Sequence, residues 1–307
     1  MEYESGAVNP ANSISEGWEL IKNDYWLFFG MTLVMTLIVI AVSTTLNAAV
    51  GMLAGVVSGG FRTVSENAPA GINSAALIPQ LIAQGFGIIT TLATTLISAL
   101  MICGIYLALS RKARGETPEF GDLFAGVKFF LPCLIVSLIT TAIHFVIGVA
   151  IMLSALAFGI SSLTPEVLAP GGKLDPNFLR TLIFAFVVIG IFYLIFSFIL
   201  GALIFFVYQL IADRNLSAMN ALNLSVRAGL SNFFGITGLF IVQGLIMFGG
   251  ALLCIIGMFF VLPIIFASNY TVYLRVFGKP TPVFNNSPPP PPNFGNQSNS
   301  EFSPNQS

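Results

Sequence analysis

Charge is what this sequence has least of. Only 8% of its 307 residues are Asp, Glu, Lys or Arg, against roughly 25% in a soluble domain. With 56% hydrophobic residues and a mean hydropathy of +0.90, the chain is excluded from the soluble class. The net charge of −1 excludes a nucleic-acid binder, which needs a concentrated basic surface. Cysteine is scarce as well. Cys103, Cys133 and Cys254 lie in apolar runs without metal-ligand spacing, and an odd number closes no disulfide framework. There is one histidine. No H-E-x-x-H, G-x-S-x-G, P-loop or Gly-rich dinucleotide turn is present. No catalytic residue, metal or cofactor is therefore expected, and the chain reads as non-enzymatic. A secretory signal is not expected either, because the first residues are acidic and the first apolar span is too long and lacks a cleavage site.

What is present is an amphipathic stretch that leads into a long apolar run. In ISEGWELIKNDYWLFFG (14–30), Ile14, Trp18, Ile21 and Tyr25 form one helical stripe. Glu16, Glu19, Lys22 and Asn23 cover the remaining surface, and Ser13 with Glu16 has the capping-box spacing. The aromatic rings and the cation suit the headgroup level, so the stretch reads as a helix in the membrane interface. The alternative is the solvated first turns of a membrane span.

Two further stretches align on it without a gap. Phe120, Phe124, Val127, Lys128 and Leu131 fall on Ile14, Trp18, Ile21, Lys22 and Tyr25. Met219, Val226, Arg227 and Leu230 fall on Ile14, Ile21, Lys22 and Tyr25, with Asn223 in place of the aromatic. Each has a start signal: Ser13, Thr117 before Pro118, and Ser217. Trp18, Lys22, Phe124, Lys128 and Arg227 are the expected interfacial anchors. Glu116, Glu119 and Asp122 read as helix-start charge and capping rather than as a metal site.

Between these stretches the chain is apolar over lengths that exceed the ~20 residues needed to cross a bilayer. The spans run from after Asp24 toward Arg62, from Ala75 to Ser110, from Phe129 to about Ser162, and from about Leu182 to Ala212. Ala228 to Leu274 is long enough for two crossings, with a turn expected between Gly249 and Gly257 and Pro263 kinking or starting the last helix. The fold class expected is therefore an all-α membrane protein. It has six transmembrane helices in three repeats of interfacial helix plus hairpin, over about 13–114, 117–214 and 216–278. Charge supports the count. With the N-terminus inside, Lys22, Arg111, Lys112, Arg114, Lys128, Arg214, Arg227, Arg275 and Lys279 are cytoplasmic, and only Arg62, Lys173 and Arg180 lie opposite. Both ends are then cytoplasmic. Residues 1–12 are expected to be a flexible terminus and 279–307 a disordered Pro/Asn/Ser-rich tail, whose Pro288–Pro292 run reads as a spacer or as a polyproline II ligand.

Polar groups inside the spans are few. His144 has no charged residue in any span to pair with, so it reads as a neutral packing residue or, alternatively, as a proton-relay or ligand contact. Gln80, Gln84 and the run Thr90, Thr91, Thr94 and Thr95 read as self-satisfied packing groups, with a polar conduit as the alternative. Gly51, Gly55 and Gly59 form a small-residue ladder suited to helix packing.

The segments GWELIKNDYWLFFG, GIYLALSRKARGETPEFGDLFAG and PIIFASNYTVYLRVFG resemble bacterial membrane proteins related to the membrane domain of glycerophosphodiester phosphodiesterases. The resemblance covers roughly residues 14–278 and implies a bacterial cytoplasmic membrane. In those relatives a separate soluble barrel carries catalysis, and it is absent here, so no catalytic residue is carried over. The functional expectation is a scaffold or accessory subunit in contact with membrane lipids. A protein partner would dock at the cytoplasmic face or the Pro-rich tail. The second expectation is a transporter, channel or lipid-handling protein using His144, Gln80 and Gln84. Nothing in the sequence selects an oligomeric state.

Overall fold

The computed structural model describes residues 3–65, 74–161, 176–252 and 256–278, excepting the side chains of 57–65, 74–84, 152, 155–161, 176–179 and 181–182. Among the described residues there is no strand. The helices are α1 (Pro10–Ile21), α2 (Tyr25–Ser65), α3 (Ser74–Ala113), α4 (Asp122–Ala125), α5 (Phe130–Ser161), α6 (Pro176–Leu203), α7 (Val207–Arg214), α8 (Ala218–Ser231), α9 (Phe233–Leu252) and α10 (Ile256–Phe277). Six segments are long and apolar enough to cross a membrane: α2, α3, α5, α6 with α7, α9, and α10. They pair as hairpins α2–α3, α5–α6 and α9–α10. Splitting the last apolar stretch is therefore correct: α9 ends at Leu252 and α10 begins at Ile256, and residues 253–255, within the interval expected for the turn, lie outside the described residues. Pro263 lies within α10 rather than at its start.

A short helical segment precedes each hairpin, but the three differ. α1 has 12 residues and α8 has 14, whereas α4 is one turn followed by a 3-10 turn over Gly126–Phe129. The start of α1 corrects the sequence reading. Asn9, not Ser13, is the N-cap: its side chain accepts from the Asn12 N–H at 3.3 Å, and Pro10 takes the first helical position. Ser13 is buried instead, and its hydroxyl donates to the Asn9 carbonyl at 2.6 Å. Residues 4 and 7, within the N-terminal stretch, bond to the bundle. The Glu4 N–H donates to Val276 O at 2.9 Å, the Ala7 N–H donates to Asn232 Oδ1 at 3.1 Å, and Asn232 Nδ2 returns a bond to Glu4 O at 3.0 Å.

The buried core of the described residues lies at one end of the bundle. Tyr270, Tyr273, Phe28, Phe206, Ile21, Met31, Ile105 and Leu109 are fully buried there. Lipid tails are as apolar as these side chains, so helices gain by close fit rather than by leaving water. Glycine provides the fit. A Cβ on Gly17 would stand 2.6 Å from Ser268 N, which lets α1 lie directly on α10. Gly104 and Gly126 do the same between α3 and the segment after α4, where a Cβ would enter the backbone at Leu123 and Leu100. The expected ladder is not used this way. A Cβ at Gly51 or Gly55 would meet nothing within 4 Å, and Gly59 lies outside the described side chains.

This packed end also holds the charges. Asp213 at the end of α7 accepts from Arg114 Nη2 at 2.8 Å, from the Tyr273 hydroxyl at 2.8 Å, and from the Ser110 hydroxyl. Its side chain is 0% exposed. The Arg214 guanidinium lies 5.9 Å from the Tyr273 ring centre and 5.7 Å from that of Phe277, within cation–π range. Lys112 pairs with Asp24, Arg275 with Glu16, and Arg111 with Glu116 and Asp122. Asp122 also accepts from the Glu119 N–H at 2.9 Å, the local capping expected of this acidic run.

Candidate functional site

Away from the charged end the helices part. Most of α6 is exposed, including Phe184 at 68% and Phe192 at 69%. Between α3, α5, α6 and α7 this leaves a crevice of about 670 Å³. Its walls are Gly87, Ile88, Thr91 and Thr95 of α3; Thr140, Thr141, His144 and Phe145 of α5; Tyr193 of α6; Ile204; and Tyr208 of α7. Helical spacing explains the clustering: Gly87, Thr91 and Thr95 repeat every fourth residue, as do Thr140 and His144. At 1.5 Å per residue, Tyr208 lies about 9 Å from Arg214 and Gly87 about 36 Å from Arg111. The crevice therefore follows the helix axes for about 27 Å, close to the ~30 Å of a hydrocarbon core. Ile88, Phe145 and Tyr193 are 37%, 48% and 39% exposed, so its mouth faces the surroundings of the bundle.

Some of the polar groups lining it satisfy themselves. Thr91 Oγ1 donates to Gly87 O at 2.8 Å and Thr140 Oγ1 to Val136 O at 2.9 Å. His144 Nδ1 lies 2.8 Å from Thr140 O. A carbonyl cannot donate, so Nδ1 carries a proton. The ring is fixed by this bond and by an edge contact with Tyr193, with ring centres 6.4 Å apart. Others are unsatisfied. Thr141 Oγ1 is buried with no partner. Among the described residues, the Thr95, Tyr193 and Tyr208 hydroxyls and His144 Nε2 also make no hydrogen bond within the chain. Among the described residues no Asp, Glu, Lys or Arg lines the crevice.

The fourth span is discontinuous beside it. α6 ends at Leu203 and α7 begins at Val207, and Ile204 in the break forms part of the wall. Ser225 of α8 holds the break: its hydroxyl accepts from the Phe206 N–H at 3.1 Å and donates to Leu203 O at 2.8 Å. Backbone freed from a helix inside a membrane must find partners of this kind. Gly229 allows the approach, since a Cβ there would stand 2.7 Å from Ala202 O.

Of the candidates read from sequence, His144 and two threonines of the α3 run meet in the crevice. Gln80 and Gln84 lie outside the described side chains. Thr140, Thr141, Tyr193 and Tyr208 were not singled out. The Thr140-Thr141 pair one turn before His144 was the available signal, while the break at 204–206 carries neither Gly nor Pro and left none. The stripe residues divide: Trp18 42%, Phe120 41%, Phe124 51%, Val127 59%, Met219 57% and Leu230 61% are exposed, whereas Ile21 is fully buried and Ile14, Tyr25 and Val226 are half-buried. Lys22 pairs with Glu19, whereas Lys128 and Arg227 are exposed. Cys103 and Cys133 are buried free thiols with sulfurs 3.5 Å apart. Among the described residues no three His, Cys, Asp or Glu converge as a metal would require.

These features define an all-helical, six-span membrane protein with a polar crevice at a broken span. Comparison with protein-family models, with curated proteins and with solved structures found no match to this chain.

Proposed function

We propose that this is a non-enzymatic, lipid-handling membrane protein whose crevice takes up the polar part of an uncharged amphiphile. One observation carries the reading: four hydroxyls and an imidazole nitrogen without partners share one space at membrane depth. Thr141 Oγ1 is the buried one among them, and leaving a buried donor or acceptor unmet costs about 1–3 kcal/mol. A guest that supplies hydrogen bonds would meet it together with the more open groups beside it. The described wall residues are uncharged, which favours a guest with hydroxyl, ester or carbonyl groups over an ionised one. The length and narrowness of the space suit a chain-like molecule. The broken span supports movement of that guest, because discontinuous helices place adaptable backbone beside membrane-embedded sites.

The test is extraction into native-lipid nanodiscs followed by mass spectrometry of what copurifies. One neutral lipid enriched over the bulk membrane, and lost in Thr141→Val with Tyr208→Phe, is the expected result. Bulk lipid composition around both proteins sinks the reading.

The rest of the reading is a bacterial cytoplasmic membrane, both termini inside, three related units lying on interfacial helices, and kinship with the phosphodiesterase membrane domain. Exposed Trp18 of α1, Phe120, Phe124 and Val127 at α4, and Met219 and Leu230 of α8 support the interfacial placement. Reporter fusions at residues 68 and 170 and at the C-terminus check the orientation, and an external C-terminus refutes it. A scaffold role is the second reading, favoured by the open surface at Gly51. A protein that copurifies stoichiometrically, and is lost on Gly51→Leu or on deletion of 280–307, would establish it.

A further inference from the structure

Most described cations at the charged end have an acidic partner: Lys22, Arg111, Lys112, Arg114 and Arg275 are all ion-paired. Arg227 is not, and it is exposed. The reason is local. Lys22 has Glu19 one turn before it, and the position one turn before Arg227 is Leu224. Arg227 stands instead in a surface cleft of about 400 Å³ with Asn220 and Asn223.

The helix that carries it has three distinct faces. Ala218, Ala221, Ser225, Ala228 and Gly229 are buried against the bundle. Met219 and Leu230 form an apolar edge, 57% and 61% exposed. Asn220, Asn223 and Arg227, at i, i+3 and i+7, form the third face, inside the cleft. A helix with an apolar edge beside a cationic face lies at the membrane surface, with the edge in the acyl region and the cation at the headgroups.

We propose that this cleft binds the headgroup of an anionic phospholipid. The planar guanidinium matches two phosphate oxygens. The Asn220 and Asn223 side-chain amides can donate to a third oxygen or to a headgroup hydroxyl. The neighbouring apolar edge favours a lipid over free phosphate, because Met219 and Leu230 gain only from a ligand that brings chains. This site goes beyond the crevice reading and does not depend on it: among the described residues the crevice wall has no cation, and the cleft has Arg227.

The test is native mass spectrometry of the full chain titrated with phosphatidylglycerol or with phosphatidylcholine of the same acyl chains. The expected result is preferential retention of phosphatidylglycerol, weakened about fivefold by Arg227→Gln, the effect of one cation at an anionic surface. Arg275→Gln removes the same formal charge from the same end, within an ion pair, and leaves the affinity unchanged. Equal weakening by both variants, no weakening by Arg227→Gln, or displacement of the lipid by millimolar inorganic phosphate would each overturn the proposal. The last would make the free anion the ligand.

Discussion

Replacing Asp213 by Ala tests the packed end of the bundle. The carboxylate is 0% exposed and accepts from Arg114, Tyr273 and Ser110, which joins α3, α7 and α10. Arg114 is only 18% exposed, and its Nε is already buried without a partner. Breaking a buried pair by removing one member costs about 3–5 kcal/mol, because the other charge stays buried. Loss of the acceptor for Tyr273 and Ser110 adds about 1 kcal/mol each. The sum, about 5–7 kcal/mol, is a large part of the 5–15 kcal/mol that typically separates folded from unfolded protein. Arg275→Ala breaks the Arg275–Glu16 pair, whose members are 25% and 46% exposed, and should cost at most about 1 kcal/mol. Unfolding in mixed micelles, followed by circular dichroism against detergent fraction, measures both. Asp213→Leu with Arg114→Met should recover much of the loss, since removing both charges leaves none stranded. If Asp213→Ala costs no more than Arg275→Ala, or the double variant is as unstable as the single, the buried-charge argument is wrong.

Gly126→Ala should lower stability by several kcal/mol, because a Cβ there enters the Leu100 carbonyl, whereas Gly51→Ala should be neutral or slightly stabilising; thermal aggregation in detergent separates the two. Thr141→Val removes an unpartnered buried hydroxyl, so it should raise stability by about 1 kcal/mol while reducing the retained amphiphile. A loss of stability would show that the hydroxyl has a partner within the fold. Mild oxidation should join Cys103 to Cys133, whose sulfurs are 3.5 Å apart, and mass spectrometry of the digested chain should find that cross-link. Its absence would refute the packing of α3 on α5. Asn232→Leu removes the bonds to Ala7 and Glu4 and should make residues 3–9 newly sensitive to protease.

Spans were readable because the bilayer imposes a length. The split of the final stretch followed from the expectation that the cations Arg275 and Lys279 share a side with Arg111 and Lys112. Helix starts were less secure. Ser13 with Glu16 has capping-box spacing, but Asn9-Pro10 offers an earlier cap and a proline at the first helical position, and contact with α10 extends the helix to it. Small residues were readable as packing signals but not as pairs. Gly51 and Gly55 form the more conspicuous ladder, yet Gly17, Gly104, Gly126 and Gly229 are the glycines pressed against backbone, because only three-dimensional neighbours decide which face is covered. The crevice was half visible, through His144 and the threonines. Tyr193 and Tyr208 were missed because a tyrosine in an apolar run has no local mark that distinguishes a lining residue from a packed one.

By itself the sequence determined the class and the number of crossings. Hydrophobic length and charge bias are local quantities, and a membrane of fixed thickness converts them directly into topology. Tertiary structure alone decided the rest: the break at 204–206, satisfied by Ser225 across an interface; the pairing of Asp213 with Arg114; and the meeting of four helices at one crevice. These depend on contacts between residues far apart in the chain. Inside a membrane such contacts are selected by close fit and by hydrogen-bond partners, since an apolar side chain gains little by leaving lipid for protein.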